Sequence, residues 1–199
     1  MNQNEKIVKE TLIAEGFTPQ AAAAVMGVVG GETAFKNLKE ASYRNTNNAR
    51  IRAIFGRLSN HTDAQLNELK KSDEAFFNAV YGGIYGNSPT EGWKYVGRGF
   101  NGITFKANYI SAAKCTGIDF VNQPELLEQP EFAAKALACY FKAVKAFTEF
   151  EPAFQEAYRQ NAGVGKSFAF YDASKNPVHV EGIPRKRNKG LKYLEEFGV

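Results

Sequence analysis

Apolar positions recur with a helical period over most of this chain, and breaks in that period mark the elements. Ile7, Val8, Leu12 and Ile13 share one side of a predicted helix over residues 4–15, which Gly16 ends. The next run differs: every residue from Ala21 to Val29 is small or apolar. A helix without a polar face is expected to be buried on all sides. Thr18 and Pro19 supply an N-cap hydroxyl and a first-turn proline, and Gly30-Gly31 marks where this helix should stop or tighten. Short amphipathic helices follow. Asn47 or Asn48 caps one with Ile51, Ile54 and Phe55 inside. Thr62 and Gln65 form a capping box ahead of Leu66 and Leu69, and Ser72 opens a third helix with Phe76, Phe77 and Val80 inward. Later helices are expected over about 104–114, closed by Gly117, then over 130–144, over 152–160, and from Pro184 to about Phe197, with one short turn at Pro124.

Three stretches depart from the period. Residues 33–46 are polar and aperiodic and read as a loop. Residues 82–103 are dense in glycine and aromatics, too irregular for a helix, and long shaped loops inside compact domains are usually functional. Residues 163–182, with Ser167-Phe-Ala-Phe-Tyr171 and Val178-His-Val180 around Asn176-Pro177, look extended, as in a small β-hairpin. There is no repeat and no linker. The pattern predicts a mainly α protein with a single domain over residues 1–199.

Composition narrows the function. A formal net charge of +4 is only mildly basic: it suits an anionic polymer such as nucleic acid, a membrane surface or a cell wall without choosing among them, and no nucleic-acid partner is expected because the charge is modest and spread out. The basic residues Arg185, Lys186, Arg187, Lys189 and Lys192 read first as a solvated helix face. Cys115 and Cys139 fall in helical patterns and read as small buried hydrophobes, with no disulfide framework expected. The N-terminus is polar with no apolar signal region, and no run is long enough to span a bilayer. His61 and His179 have no second ligand at helical spacing, so no metal is expected; no phosphate loop is present, and no cofactor is expected.

What remains is carboxylates among aromatics, a pairing that suits sugars: aromatic faces cover the apolar side of a pyranose, while amides and hydroxyls read its hydroxyl groups. Glu32 stands at the C-terminal end of the buried helix. Desolvation and the negative helix end both disfavour its charged form, as a general acid near neutral pH requires; the plain alternative is a carboxylate that caps or pairs. Trp93 lies in the glycine-rich loop, as either a sugar platform or a pin for the loop.

Two segments carry a family resemblance. Gly31-Glu32-Thr33 with Phe35, followed by Tyr95-Val-Gly-Arg-Gly-Phe-Asn-Gly-Ile-Thr-Phe-Lys-Ala-Asn-Tyr109, resembles glycoside hydrolase family 19, and more closely the short phage endolysins that share its lysozyme-like fold. Tyr95, Gly97, Arg98, Gly99, Thr104, Asn108 and Tyr109 match the family pattern; Gly102 stands where the pattern has glutamine. The similarity covers residues 18–160 well and the tail poorly.

The resemblance implies a two-lobed fold around a cleft. It makes Glu32 the general acid and Thr104 a holder of the attacking water, although Thr104 also suits a helix N-cap. The second carboxylate is Glu40, as in the endolysins, with Glu91 in reserve. Tyr43, Trp93, Tyr95, Arg98, Asn108 and Asn161 are the expected substrate contacts, with Arg98 better suited to pairing a carboxylate and shaping the cleft. The implied activity is lysozyme-type cleavage of β-1,4 bonds in peptidoglycan by a monomeric endolysin. Such a protein is made in the host cytoplasm and released to the periplasmic wall by a holin, without stable membrane insertion. The rivals are a chitinase, a lytic transglycosylase, and a non-catalytic glycan-binding virion module.

Overall fold

The computed structural model describes residues 1–162 and 182–199, apart from the side chains of residues 31–33 and 162. The hairpin expected over 163–182 therefore falls almost wholly outside the described residues. The elements are α1 (Gln3–Ala14), α2 (Pro19–Thr33), α3 (Asn48–Ile54), α4 (Asp63–Leu69), α5 (Asp73–Tyr81), α6 (Lys106–Thr116), α7 (Pro130–Tyr140), α8 (Phe150–Ala162) and α9 (Gly182–Glu196), with short 3-10 turns between some of them.

Helix α2 is the axis of the larger lobe. Thr18 accepts a bond from the Ala21 N–H, and Ala21–Val29 is buried against α1, α8 and α9. A Cβ placed on Gly27 would lie 2.6 Å from Gly190 Cα, so α2 and α9 meet backbone to backbone. The helix does not stop at Gly30-Gly31 but runs on to Thr33. Lys189 Nζ donates to the Gly30 carbonyl at 2.8 Å, beside the Ala34 N–H that closes the helix at 3.1 Å, and so places a cation at the negative helix end. Glu32 consequently belongs to the last turn of α2 rather than to the loop beyond it.

A smaller lobe packs Ile51, Phe55, Leu58, Leu66, Phe76, Phe77 and Val80 of α3–α5 around one another, with Asn47, Thr62 and Ser72 capping the helices. Ile54, expected inside, is exposed, because α3 is too short to bury more than one face. A third cluster, built on Tyr95, Ile103, Tyr109, Phe120 and Leu127, joins the lobes. The expected thiols are corrected here: Cys115 of α6 and Cys139 of α7 form a disulfide, with Cα atoms 6.2 Å apart. Each cysteine alone reads as one apolar helical position, and only the packing of α6 on α7 brings them together.

Candidate active site

The chain reverses sharply after α2. Ala34 and Phe35 both take positive φ, 50° and 56°, which L residues adopt at a cost of about 1–2 kcal/mol each. Burial and hydrogen bonds hold the turn. Phe35 is fully buried and edge-on to Phe100, while the Asn2 and Asn4 amides donate to the carbonyls of Ala34 and Phe35. The reversal lays residues 38–40 beside the glycine motif: Gly99 N–H donates to Leu38 O, and Glu40 N–H to Gly97 O at 2.7 Å. The backbone thereby brings the loop that bears Glu40 back from the end of α2, where Glu32 sits; the Glu32 side chain lies outside the described residues.

Glu40 is held by three donors. Its Oε1 accepts from the Tyr81 hydroxyl at 2.9 Å and from the Tyr43 hydroxyl at 3.2 Å; its Oε2 accepts from Gly97 N–H at 3.1 Å. A carboxylate has about two acceptor positions per oxygen. Among the described residues, Oε1 is therefore filled and Oε2 keeps one position that no donor takes. Both Oε2 and Thr104 Oγ1 lie within 3.4 Å of the place a Cβ on Gly97 would occupy, so the carboxylate oxygen and the threonine hydroxyl border one small space over this glycine. Burial and the Glu40 charge push the Tyr43 hydroxyl up to about 12 and raise Tyr81 further, so both phenols stay protonated donors. Asn37, Lys39, Tyr81, Phe100, Gly102 and Thr104 complete a cleft of about 510 Å³ around this carboxylate.

Thr104 does not cap a helix. Phe105 occupies the N-cap position of α6 without a side-chain bond, and the Thr104 hydroxyl donates to Gly102 O at 2.9 Å, keeping its lone pairs for another donor. The other expected contacts divide. Tyr43 stacks on Phe76 in the small-lobe core and reaches the cleft only through Glu40. Tyr95 is buried, with its hydroxyl on Val121 O. Arg98 is also buried: its Nε donates to Glu128 at 2.7 Å and its Nη1 to Lys94 O and the Tyr109 hydroxyl, which fixes the Gly97–Gly99 wall from behind. Trp93 is partly exposed and does not line the cleft. Glu91 pairs with Lys106 and accepts from Ser88 N–H, contacts that hold it below the usual carboxylate range.

Asn108 and Asn161 line a second cavity of about 440 Å³, together with Asn101, Ser111, Tyr140 and Lys142. The turn 99–104 separates the two spaces: Gly102 and Thr104 face the Glu40 cleft, and Asn101 and Ile103 the other. The buried Asn101 Oδ1 accepts no hydrogen bond from the described residues. Of the basic cluster, Arg187 pairs with Glu151, Lys189 serves α2, and Lys186 is buried over the Tyr158 ring, so most of that charge is spent within the fold. The residue that sequence reasoning missed is Tyr81. Its only signal is a polar-tipped aromatic ending an apolar helix just before Gly82-Gly83.

No family model and no curated protein sequence matches the chain. Among solved structures, chitinase C from Streptomyces griseus HUT6037 is similar at 19% identity with a TM-score of 0.53, covering 98% of this chain and 70% of that one. A mutant of chitinase C is similar at 20% identity with a TM-score of 0.49, covering 89% and 73%. The chain thus has a helical, chitinase-like fold of the lysozyme type, as its motifs led one to expect.

Proposed function

We propose that the protein hydrolyses β-1,4 bonds of a glycan strand, with Glu40 as general base, Thr104 as water holder and Glu32 as general acid. The observation that carries this reading is the free acceptor position of Glu40 Oε2 beside Thr104 Oγ1 in an open cleft. A water there donates one hydrogen to Thr104 and the other to Glu40, leaving its oxygen lone pair directed outward. Glu32, carried on a helix whose preceding turns are apolar and buried, supplies the proton to the leaving oxygen. Attack by water on the face opposite the acid inverts the anomeric carbon.

Peptidoglycan is the substrate in this reading, and the protein is a monomeric endolysin released to the wall from the cytoplasm. The endolysin-like spacing of Glu32 and Glu40 supports it, and a disulfide suits the oxidising space outside the inner membrane. Chitin is the second reading, favoured by the fold shared with chitinase C. The test is digestion of purified peptidoglycan and of chitin by the wild type, Glu32→Gln and Glu40→Gln, with products identified by mass. Reducing ends from peptidoglycan, lost in both variants, are the expected result. 1,6-Anhydro ends mean a transglycosylase without a water-activating base. Release from chitin alone moves the substrate, and equal release by wild type and both variants removes the mechanism.

A further inference from the structure

Tyr85, exposed, and Phe105, half-buried, are a pair of rings that the proposed chemistry does not use. Tyr85 has 69% of its surface exposed, and its ring lies 4.8 Å from that of Phe105. Single exposed aromatics are ordinary. Here both residues also sit at positive φ, 46° and 72°, a backbone that costs a bulky L residue about 1–3 kcal/mol. The surroundings hold them there. Phe105 N–H donates to Tyr95 O, and Tyr85 O accepts from Ala107 N–H. Asn87 ties the two segments, donating to Tyr81 O and accepting from Lys106 N–H. The fold thus keeps two strained aromatics beside each other, Tyr85 exposed and Phe105 half-buried, with their rings tilted at 55°.

Their place relative to the cleft gives them a use. Phe105 directly follows Thr104, and its ring meets the Tyr81 ring edge-on at 5.4 Å, while Tyr81 holds Glu40. Tyr81, Phe105 and Tyr85 therefore form a line of rings that leads from the carboxylate to the surface. Ala107, small and exposed, leaves the ground beside Tyr85 open. Lys106, paired with Glu91, directly follows Phe105 in the chain. A flat apolar face bordered by hydrogen-bonding groups is what a pyranose ring needs.

We infer that Tyr85 and Phe105 form a sugar-stacking platform that extends the Glu40 cleft along a glycan strand; this rests on the glycan-hydrolase reading above. Sugars distant from the scissile bond stack on it, so it matters for long chains and not for short ones. Tyr85→Asn is the informative variant, because asparagine tolerates positive φ and the fold is not strained by the change. Soluble, peptide-free glycan chains of four and of eight sugars are the probes. Tyr85→Asn is expected to lower kcat/KM on the longer chain about tenfold, the order of one aromatic face, with the shorter chain unchanged and Tyr85→Trp close to wild type. Wild-type efficiency on both chains, or equal losses on both, overturns the platform. If the wild type cleaves neither chain, the hydrolase reading fails and binding of the longer chain decides. Weaker binding by Tyr85→Asn than by wild type then upholds the platform, and equal binding or none removes it.

Discussion

The Tyr81 hydroxyl donates to Glu40 Oε1 at 2.9 Å across 41 residues of sequence, and with Tyr43 it leaves Oε2 as the only oxygen of that carboxylate with room for water. Tyr81→Phe removes the donor alone, because the ring keeps its stack on Phe77 and its edge contacts with Phe55 and Phe105. The expected loss of stability is about 1 kcal/mol. The expected loss of kcat is about ten- to a hundredfold with KM little changed, since Tyr81 acts by positioning Glu40. Steady-state kinetics on soluble glycan together with urea unfolding checks both. A raised KM at unchanged kcat would mean that Tyr81 touches substrate instead.

The Cys115–Cys139 disulfide closes a loop with a sequence separation of 24 between α6 and α7, and both cysteines line the cavity that holds Asn108. Constraining the unfolded chain over that loop is worth about 3 kcal/mol. The double variant Cys115→Ser/Cys139→Ser should lose about that much in urea unfolding, and wild type in reductant should match it, while reductant leaves the variant unmoved. A wild-type curve insensitive to reductant under conditions that expose the thiols would show that the bridge adds nothing.

Much of the fold was legible because its signals are local. The caps at Thr18, Asn47, Thr62 and Ser72 and the all-apolar run at Ala21–Val29 need only neighbours in sequence, and each marks a helix boundary or a buried face. What was not legible depends on distant partners. Gly30-Gly31 reads as a stop until Lys189 is seen on the Gly30 carbonyl, and Cys115 reads as a lone hydrophobe until α7 is packed against it. In the candidate site, motif matching points to Glu40, Thr104 and Asn108, but it does not separate residues that line the cleft from those that build its walls or, like Asn108, line the second cavity. Tyr43, Tyr95 and Arg98 are wall residues whose polar atoms are satisfied inside the protein, and Tyr81 carries no motif at all.

Glu5 ties the base of this arrangement together and makes stability depend on pH. Its Oε1 accepts from the Tyr193 hydroxyl and its Oε2 from Asn2 N–H at 2.7 Å, and Lys189 Nζ stands 3.9 Å away. Burial disfavours the charged carboxylate, but the Tyr193 hydroxyl, the Asn2 amide and the Lys189 and N-terminal charges outweigh it and hold the group below its ordinary 4.5. A lowered carboxyl value in the folded state means that the unfolded chain binds the proton first. The stabilisation is therefore fully present above about pH 4.5 and is lost as the pH falls through the lowered value. Glu5→Gln should cost about 1–3 kcal/mol at pH 7, with the gap to wild type narrowing toward pH 3. Urea unfolding of both proteins at the two pH values checks this, and the difference cancels the other acidic groups. A gap that stays constant would place the cost of the variant in packing around α1 rather than in the charge of Glu5.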